Sequence, residues 1–508
     1  MKKIVSNQEA LERWFTTFTF PKINIATFYF GIVAMYSVVI VVTVTNYAIN
    51  DDVAFKNAAN QNKILGLAIT FSHQGRMILL HGIDMFILNK ISKDNFLLFY
   101  SFSGLTFLFC GIFLKNILPK KISIGVYIWL VVLIGSLCTT SIFFRLMYQE
   151  RYILLAFLLL TYVVVKMQKG IWQIICIFLL SNFIIHSKEA GIAAMFCLGV
   201  GFIIKSIFRV KSIDKYNLVL GMIPILSSIF AIIYYLINIF PNIEHRYGEN
   251  HASYFSYIPF NLAKWIVNEP FIFIGFVPLL FYRIYEIVKR RQDIHIYDLL
   301  GFAGFGYIVT FFILKICHSD YYMSPVYGIA IPFVFFWVYT KHWYYYRRYT
   351  VILVLFCILQ VSNVQLGVTD IIFQRFNNKN LHTILGEIKE KDIKKLTIIG
   401  NQNNLQEFPM VDYFNFFLSD RNFEINTTEY FNSFKKGDFI LQTPWSRKDF
   451  VESGHFSLVQ EFSAPHIVAK ENLNYLISCY LAKLPGSDTN IADRMYVRDA
   501  TYRLYRYY

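Results

Sequence analysis

The stretch Ile23–Thr45, INIATFYFGIVAMYSVVIVVTVT, contains no charged residue. It is long enough to cross a bilayer as a helix, which takes roughly 20 apolar residues. Directly after it comes Asn46–Phe55, NYAINDDVAF, in which Asp51 and Asp52 stand side by side. Carboxylates kept at the exit of a membrane span are costly and mark function. One of them reads as a catalytic base; the structural alternative is that Asp51 or Asp52 caps a short helix starting near Val53. His73, Arg76 and His81 follow in the same loop.

The rest of the chain repeats the apolar pattern. Hydrophobic residues make up 56% of 508 positions and charged residues 16%, with a mean hydropathy of +0.44. An average soluble protein carries about a quarter charged residues, so this is a polytopic, mainly α membrane protein. The net charge of +15 does not indicate nucleic acid, because the basic residues sit in small clusters between apolar runs, as positive-inside signals do. The seven cysteines show no paired CxxC spacing and read as small buried hydrophobes. The basic and acidic tail 1–22 has no short apolar core or small-residue cleavage site and reads as a cytoplasmic extension rather than a cleaved signal.

Length and apolarity give about eleven spans of roughly 20 residues or fewer. They lie near Ile23–Thr45, Phe96–Leu114, Ile122–Cys138, Tyr152–Val165, Ile171–Ile185, Ile192–Ile207, Leu218–Ile239, Phe271–Ile287, Leu299–Ile316, Ser324–Tyr339 and Tyr349–Val361. Alternate connections carry the basic clusters, among them Lys120 with Lys121, Lys166 with Lys169, and Arg290 with Arg291. These form one cytoplasmic set together with the N-terminal tail. An odd span count then places the C-terminus outside, beyond the bundle 23–370. The first outer loop, 47–95, holds apolar pieces at Ile64–Phe71 and Met77–Ile91 that suit interfacial helices. From 371 to 508 the composition changes to that of a small extracytoplasmic α/β domain. Strands are expected at Lys395–Gly400, Gly437–Thr443 and His466–Lys470, and a helix at Leu381–Asp392. The Arg- and Tyr-rich end, Arg494–Tyr508, reads as a solvated edge, the alternatives being a segment packed on the bundle or one that binds an anionic glycan. No GxGxxG or GxxxxGK[ST] pattern is present in this domain.

The outer connections collect the groups that can do chemistry. Asp51 and Asp52 offer a base; Glu150 with Arg151, and Lys188 with Glu189, each set a cation beside a carboxylate. Lys315, His318, Asp320, Tyr321 and Tyr322 complete the set, Lys315 and His318 having the spacing that shares one helical face. Lys188, Arg151, Lys315 and His318 can together receive a phosphate. Glu150, Glu189, Arg76, His73, Tyr321 and Tyr322 are placed as substrate-binding or supporting groups. For any one pair, a structural ion pair between loops is the competing account; for the tyrosines it is an interfacial aromatic belt.

The carboxylate pair, the Tyr148-Gln-Glu-Arg151 run, Ser187-Lys-Glu189 and His318-x-x-Tyr-Tyr-x-x-Pro325 resemble the GT-C superfamily of integral-membrane glycosyltransferases, over residues 23–370. Within it the chain is similar to bacterial members that modify lipid A, protein or O-antigen, including serotype-converting glucosyltransferases. The resemblance implies a polyprenyl-phosphate (undecaprenyl phosphate) sugar donor, a surface-glycan or lipid-linked acceptor, and a bacterial inner (cytoplasmic) membrane with the C-terminal domain in the periplasm. It also implies Asp51 or Asp52 as base, with Lys188, Arg151 and His318 at the donor phosphate. Inversion follows from a single displacement. Clustered carboxylates leave room for a divalent cation, Mg or Mn, which a monophosphate donor does not demand and for which no tight ligand spacing occurs. The alternatives are an O-antigen-type polymerase or ligase, expected to carry more arginines than the loop Pro241–Asn268 does, and a lipid-linked glycan flippase or transporter, expected to show midplane polar groups and internal repeats.

Overall fold

The computed structural model describes residues 25–44, 51–61, 73–93, 95–118, 130–146, 148–208, 213–244, 254–316, 319, 321–338, 350–399, 407–419, 421, 423–428, 434–443, 455–463, 472–481 and 501–508. The fold is mainly helical with one small C-terminal sheet. In chain order the helices are α1 (Ile25–Val42), α2 (Asp51–Asn60), α3 (Ile83–Ile91), α4 (Phe96–Ile117), α5 (Leu137–Phe144), α6 (Glu150–Lys166), α7 (Ile171–Ser187), α8 (Ala190–Ile207) and α9 (Lys215–Tyr234). They continue with α10 (Tyr254–Asn268), α11 (Val277–Val288, entered through a π-helical turn at Phe271–Phe276), α12 (Ile296–Ile313), α13 (Ser324–Trp337) and α14 (Thr350–Glu390).

Six helices among the described residues are long and apolar enough to cross a membrane: Phe96–Ile117, Ala190–Ile207, Lys215–Asn242, Phe271–Val288, Ile296–Ile313 and Phe356–Glu390. The chain is a membrane protein. Shorter apolar helices run over Ala26–Val42, Ile171–Ser187 and Ser324–Trp337. Helices in lipid gain from close backbone approach at small residues, and α8 and α9 do this at Gly199 and Gly221. A Cβ on Gly199 would lie 2.6 Å from the Gly221 carbonyl oxygen, and one on Gly221 would lie 2.7 Å from that of Gly199. Side-chain oxygens finish the helix starts: Asp214 accepts the Tyr216 and Asn217 amides ahead of α9, and Asn95 accepts the Leu98 amide ahead of α4.

One end of the bundle is closed by a buried knot around Arg283. Its guanidinium donates to Glu286 at 2.6 Å and to both oxygens of Asp298 at 3.1 and 3.2 Å, and it lies 3.6 Å from the Trp337 ring centroid. This ties α11, α12 and α13 together through charge-assisted bonds. The candidate site lies at the other end, where α6 begins and α7 ends.

α14 differs from expectation in length. A span was expected to stop near Val361 with a separate helix at Leu381–Asp392, but one helix runs from Thr350 to Glu390. No proline or glycine pair interrupts it, and its polar lower half is carried by buried contacts instead of lipid. It leads into a five-stranded sheet made of β1 (Lys395–Ile399), β2 (Glu424–Thr428), β3 (Phe439–Gln442), β4 (Phe456–Phe462) and β5 (Tyr502–Tyr507), with two further helices, α15 (Glu407–Phe417) and α16 (Leu473–Leu481). The strand order is β2-β1-β3-β5-β4, parallel for β2, β1 and β3 and antiparallel from β3 through β5 to β4. β1 and β3 fall where strands were expected; His466–Lys470 lies outside the described residues. The Arg- and Tyr-rich end is not a solvated edge. β5 is an interior strand covered on both faces: Tyr502 and Leu504 lie on one, and Tyr505 lies on the other, where it packs with Ile399 and Ile440. Burying residues such as Leu396, Ile398, Leu441 and Leu504 stabilises the sheet by about 1.5–3 kcal/mol each.

The sheet and the bundle share one core. Tyr502 donates to Asn377 of α14 at 2.5 Å, and the Asn380 amide donates to the Phe462 carbonyl at 3.3 Å. At the start of α16, Asn472 bonds Ser362 and Gln365, while the Asn474 amide reaches the Val267 and Leu359 carbonyls. The buried side chains of Asn377, Asn380, Ser362 and Asn472, and the Asn474 amide nitrogen, thus find partners, as most buried polar groups do.

Candidate functional site

α2 begins at Asp51, two residues earlier than expected, so both aspartates belong to its first turn. The side chain of Asp51 lies outside the described residues. Asp52 is buried, and its Oδ2 accepts the Leu146 backbone amide at 3.1 Å. Its negative charge acts on Arg151, Arg375 and the Tyr100 hydroxyl. The carboxylate thus stands where the first loop, the turn before α6, α4 and α14 converge.

Arg151 and Lys188 are buried in two separate ion pairs. Arg151 Nη2 donates to Asp84 Oδ2 at 2.7 Å, Tyr152 donates to the same oxygen at 2.6 Å, and Arg151 Nη1 donates to the Arg145 carbonyl at 3.0 Å. Lys188 Nζ donates to Glu150 Oε1 and lies 4.5 Å from the ring centroid of Tyr322 and 5.6 Å from that of Tyr321. Burial pushes the Lys188 ammonium below its usual range; Glu150 opposes this and Arg76 adds to it. Arg76 pairs with Glu189 at 3.3 Å, and Glu189 also accepts the Met77 amide at 3.2 Å. These bonds stitch the first loop to the α7–α8 turn. The Leu80 amide adds a bond to the His186 carbonyl.

His81 is packed against Phe55, with ring centroids 4.6 Å apart. Burial first, then the charges of Arg76, Lys188 and Arg151, hold its imidazole well below the usual histidine range and hence neutral at pH 7. Tyr321 stacks on Tyr148 at 3.9 Å, so the two tyrosines of the late connection serve the cluster rather than a lipid belt. Beside Lys188 and Arg76 lies a small open cleft; Glu189, Tyr322 and Gly75 line its polar side, and Tyr235, Phe311 and Leu314 its apolar side.

Two expected members stand apart. His73 is exposed at the rim, 3.9 Å from Glu244. Lys315 lies beyond the end of α12 at Ile313 and adopts a left-handed backbone with φ 50°, so it is not on the helical face expected for it. Its ammonium lies 5.2 Å from the Tyr254 ring centroid. His318 and Asp320 lie outside the described residues.

No protein-family model, curated protein or solved structure matches the chain. Among the described residues no group of three or more His, Cys, Asp or Glu converges as a metal site would.

The structure adds four residues that sequence reasoning passed over. Asp84 is the partner of Arg151. Arg145 pairs with Asp370 of α14 at 3.0 Å and donates to Tyr148 at 2.8 Å. Arg375 of α14 is buried, donates to the Ile40 carbonyl at 3.0 Å, and lies against the Tyr100 and Phe144 rings at 5.1 and 4.9 Å. A signal existed for Asp84, a lone carboxylate in an apolar helix. For Asp370 and Arg375 it was hidden by ending the last span too early.

Proposed function

We propose that this chain is an integral-membrane glycosyltransferase that moves a sugar from a polyprenyl-phosphate carrier to an acceptor hydroxyl at the extracytoplasmic face. The observation that carries this is Asp52, a buried carboxylate at the first loop that accepts the Leu146 amide and whose charge acts on Arg151 and Arg375, together with Lys188 and Arg76, which line an open cleft. Eleven crossings, a cytoplasmic N-terminus and an outer C-terminal domain belong to the same proposal, as does a GT-C-like bundle.

The parts fit one displacement. The acceptor O–H gives its proton to Asp52 as the acceptor oxygen bonds to the anomeric carbon. The bond from that carbon to the phosphate oxygen breaks, and its electron pair leaves with the polyprenyl phosphate. Fixed cations aimed at the departing phosphate lower the barrier, a role for Lys188 and Arg76 at the cleft. Arg151 is held by Asp84, and Asp52, in the role of base, accepts the proton. The apolar side of the cleft, with Tyr235, Phe311 and Leu314, gives the carrier's hydrocarbon a place beside its headgroup.

The test is reconstitution: purified protein in liposomes, a panel of polyprenyl-phosphate sugars, candidate glycan acceptors, and detection of both glycosylated product and free polyprenyl phosphate. Stoichiometric appearance of the two supports the proposal. Translocation of the carrier with no transfer would replace it with the flippase alternative.

A further inference from the structure

The apolar half of α14 contains polar residues for which a lipid-facing helix has no use: Gln360, Ser362, Asn363 and Gln365 all precede Asp370, the first charged residue of the helix. Three of them serve the ends of other helices. The Ser362 hydroxyl donates to Asn472 Oδ1 at 2.8 Å and accepts the Asn474 backbone amide at 3.2 Å, while Asn472 Nδ2 donates to the Ser362 carbonyl and to Gln365 Oε1, both at 2.9 Å. Asn472 in turn caps α16, its Oδ1 accepting the Asn474 backbone amide at 3.0 Å. The Asn363 and Asn474 side chains donate to the carbonyls of Asn268 and Val267, the last two residues of α10. Helix ends that meet no water need such partners for their free amides and carbonyls.

These contacts fix the level of α16 along α14. It starts beside Ser362 and Leu359, the Asn474 side chain also reaching the Leu359 carbonyl at 3.3 Å. Both residues lie in the apolar part of a helix able to cross a membrane. From Ser362 to Asp370 is about 12 Å at 1.5 Å per residue, so α16 begins well short of the first charge.

The face that α16 turns away from its partners is apolar and open. Leu473, Leu476 and Tyr480 have the spacing of one helical stripe, and Leu476 and Tyr480 are 52% and 70% exposed. α16 contains no charged residue. On α14, Ile358 and Val361 directly precede the two residues that α16 touches, and they are 48% and 61% exposed. α10, which packs on α16, adds Tyr254, Ile258 and Leu262 on one exposed stripe, while its one charged residue, Lys264, is buried. Tyr254 donates at 2.7 Å to the carbonyl of Ile313, the last residue of the spanning helix α12. The stripes of α16 and α10 thus continue the outward surface of membrane spans, and what covers the spans covers them.

We propose that α16 and α10 lie in the membrane interface, with their exposed stripes covered by the acyl chains of the leaflet on the side of the sheet. Uncharged stripes of Leu, Ile and Tyr at the edge of a span suit that boundary. The sheet is then held to the bilayer by a helix of its own domain, because β4 and β5, the strands on either side of α16 in the chain, pair with each other. None of this depends on the transferase proposal.

Spin labels at single cysteines test it. The full-length protein is placed in nanodiscs with its seven native cysteines replaced by alanine. Nitroxides at Leu476→Cys, Tyr480→Cys and Ile258→Cys should collide more with O2 than with water-soluble Ni(II)-EDDA, as at Val361→Cys in the span. Asn426→Cys, on the exposed edge strand β2, should give the opposite order. Greater collision with Ni(II)-EDDA at Leu476 and Tyr480 would put the stripe in water and overturn the proposal. Weak collision with both reagents would mean that protein covers the stripe, a second copy of the chain included, and would overturn it as well. Leu476→Trp in the otherwise unchanged protein keeps the test open where a labelled variant does not fold. Its added fluorescence should be quenched by brominated lipid and spared by iodide; the reverse would contradict the placement.

Discussion

Arg151 of α6 and Asp84 of α3 are joined by a buried 2.7 Å ion pair, with the Tyr152 hydroxyl on the same carboxylate oxygen. This pair anchors the first loop to the bundle. Removing one partner strands a buried charge, so Arg151→Met should destabilise by about 3–5 kcal/mol. The double variant Arg151→Met with Asp84→Leu should recover much of that loss, because neither charge is left alone. Melting of the four proteins in detergent completes the cycle, and strict additivity would mean that the pair is not coupled.

Lys188 and Glu150 permit the same separation of fold from chemistry. Lys188→Met with Glu150→Gln keeps the interior neutral and should retain the wild-type melting point within a few degrees. Transfer should nevertheless fall by about 10²–10³-fold, the usual cost of losing one fixed group that stabilises developing charge. Wild-type turnover in that double variant would take Lys188 out of the reaction.

His81 gives a pH dependence of definite sign. Its pKa in the folded protein lies below the unfolded value of about 6.5. As pH falls below about 6.5 the unfolded chain takes up a proton that the folded one refuses, so stability present above that value is lost on acidification. The slope from this one group is at most about 1.4 kcal/mol per pH unit. His81→Gln should flatten the melting temperature between pH 7 and pH 5 relative to wild type, and an unchanged slope would remove His81 as its source.

The close approach of α8 and α9 predicts a steric effect away from the site. Gly199→Val or Gly221→Val puts a branched side chain where a Cβ alone already lies 2.6–2.7 Å from a carbonyl oxygen. Each should cost about 1–3 kcal/mol or more, visible as a lower melting point. Gly31→Ala, with nothing within 4 Å of its added Cβ, is the control.

The parts of this molecule legible in the sequence were those that depend on local pattern. Apolar runs located the helices because the period and length of a span are written in consecutive residues. The charged loop residues were recognisable by type, and Glu150, Arg151, Lys188, Glu189 and Arg76 do gather at one end of the bundle. Their partners were not legible. Arg151 binds Asp84 rather than a neighbour in the chain, Lys188 binds Glu150 from a different loop, and Arg145 binds Asp370, all pairings set by helix packing. α14 was cut short because its second half is polar, and polarity reads as solvent unless the buried acceptors it meets are known. Tyr502–Tyr507 was misread for the matching reason: an Arg- and Tyr-rich strand looks exposed until the strands on both sides of it are seen.

The central claim is that Asp52 takes the proton from the acceptor. Single-turnover transfer from a polyprenyl-phosphate sugar to a glycan acceptor by wild type, Asp52→Asn and Asp51→Asn tests it most directly. Asp52→Asn, which keeps the shape of the buried group, should slow the chemical step by about 10²–10⁴-fold, the range for a positioned base, with donor binding unchanged, while Asp51→Asn should retain most of the rate. Full single-turnover activity in a folded Asp52→Asn protein would contradict the account.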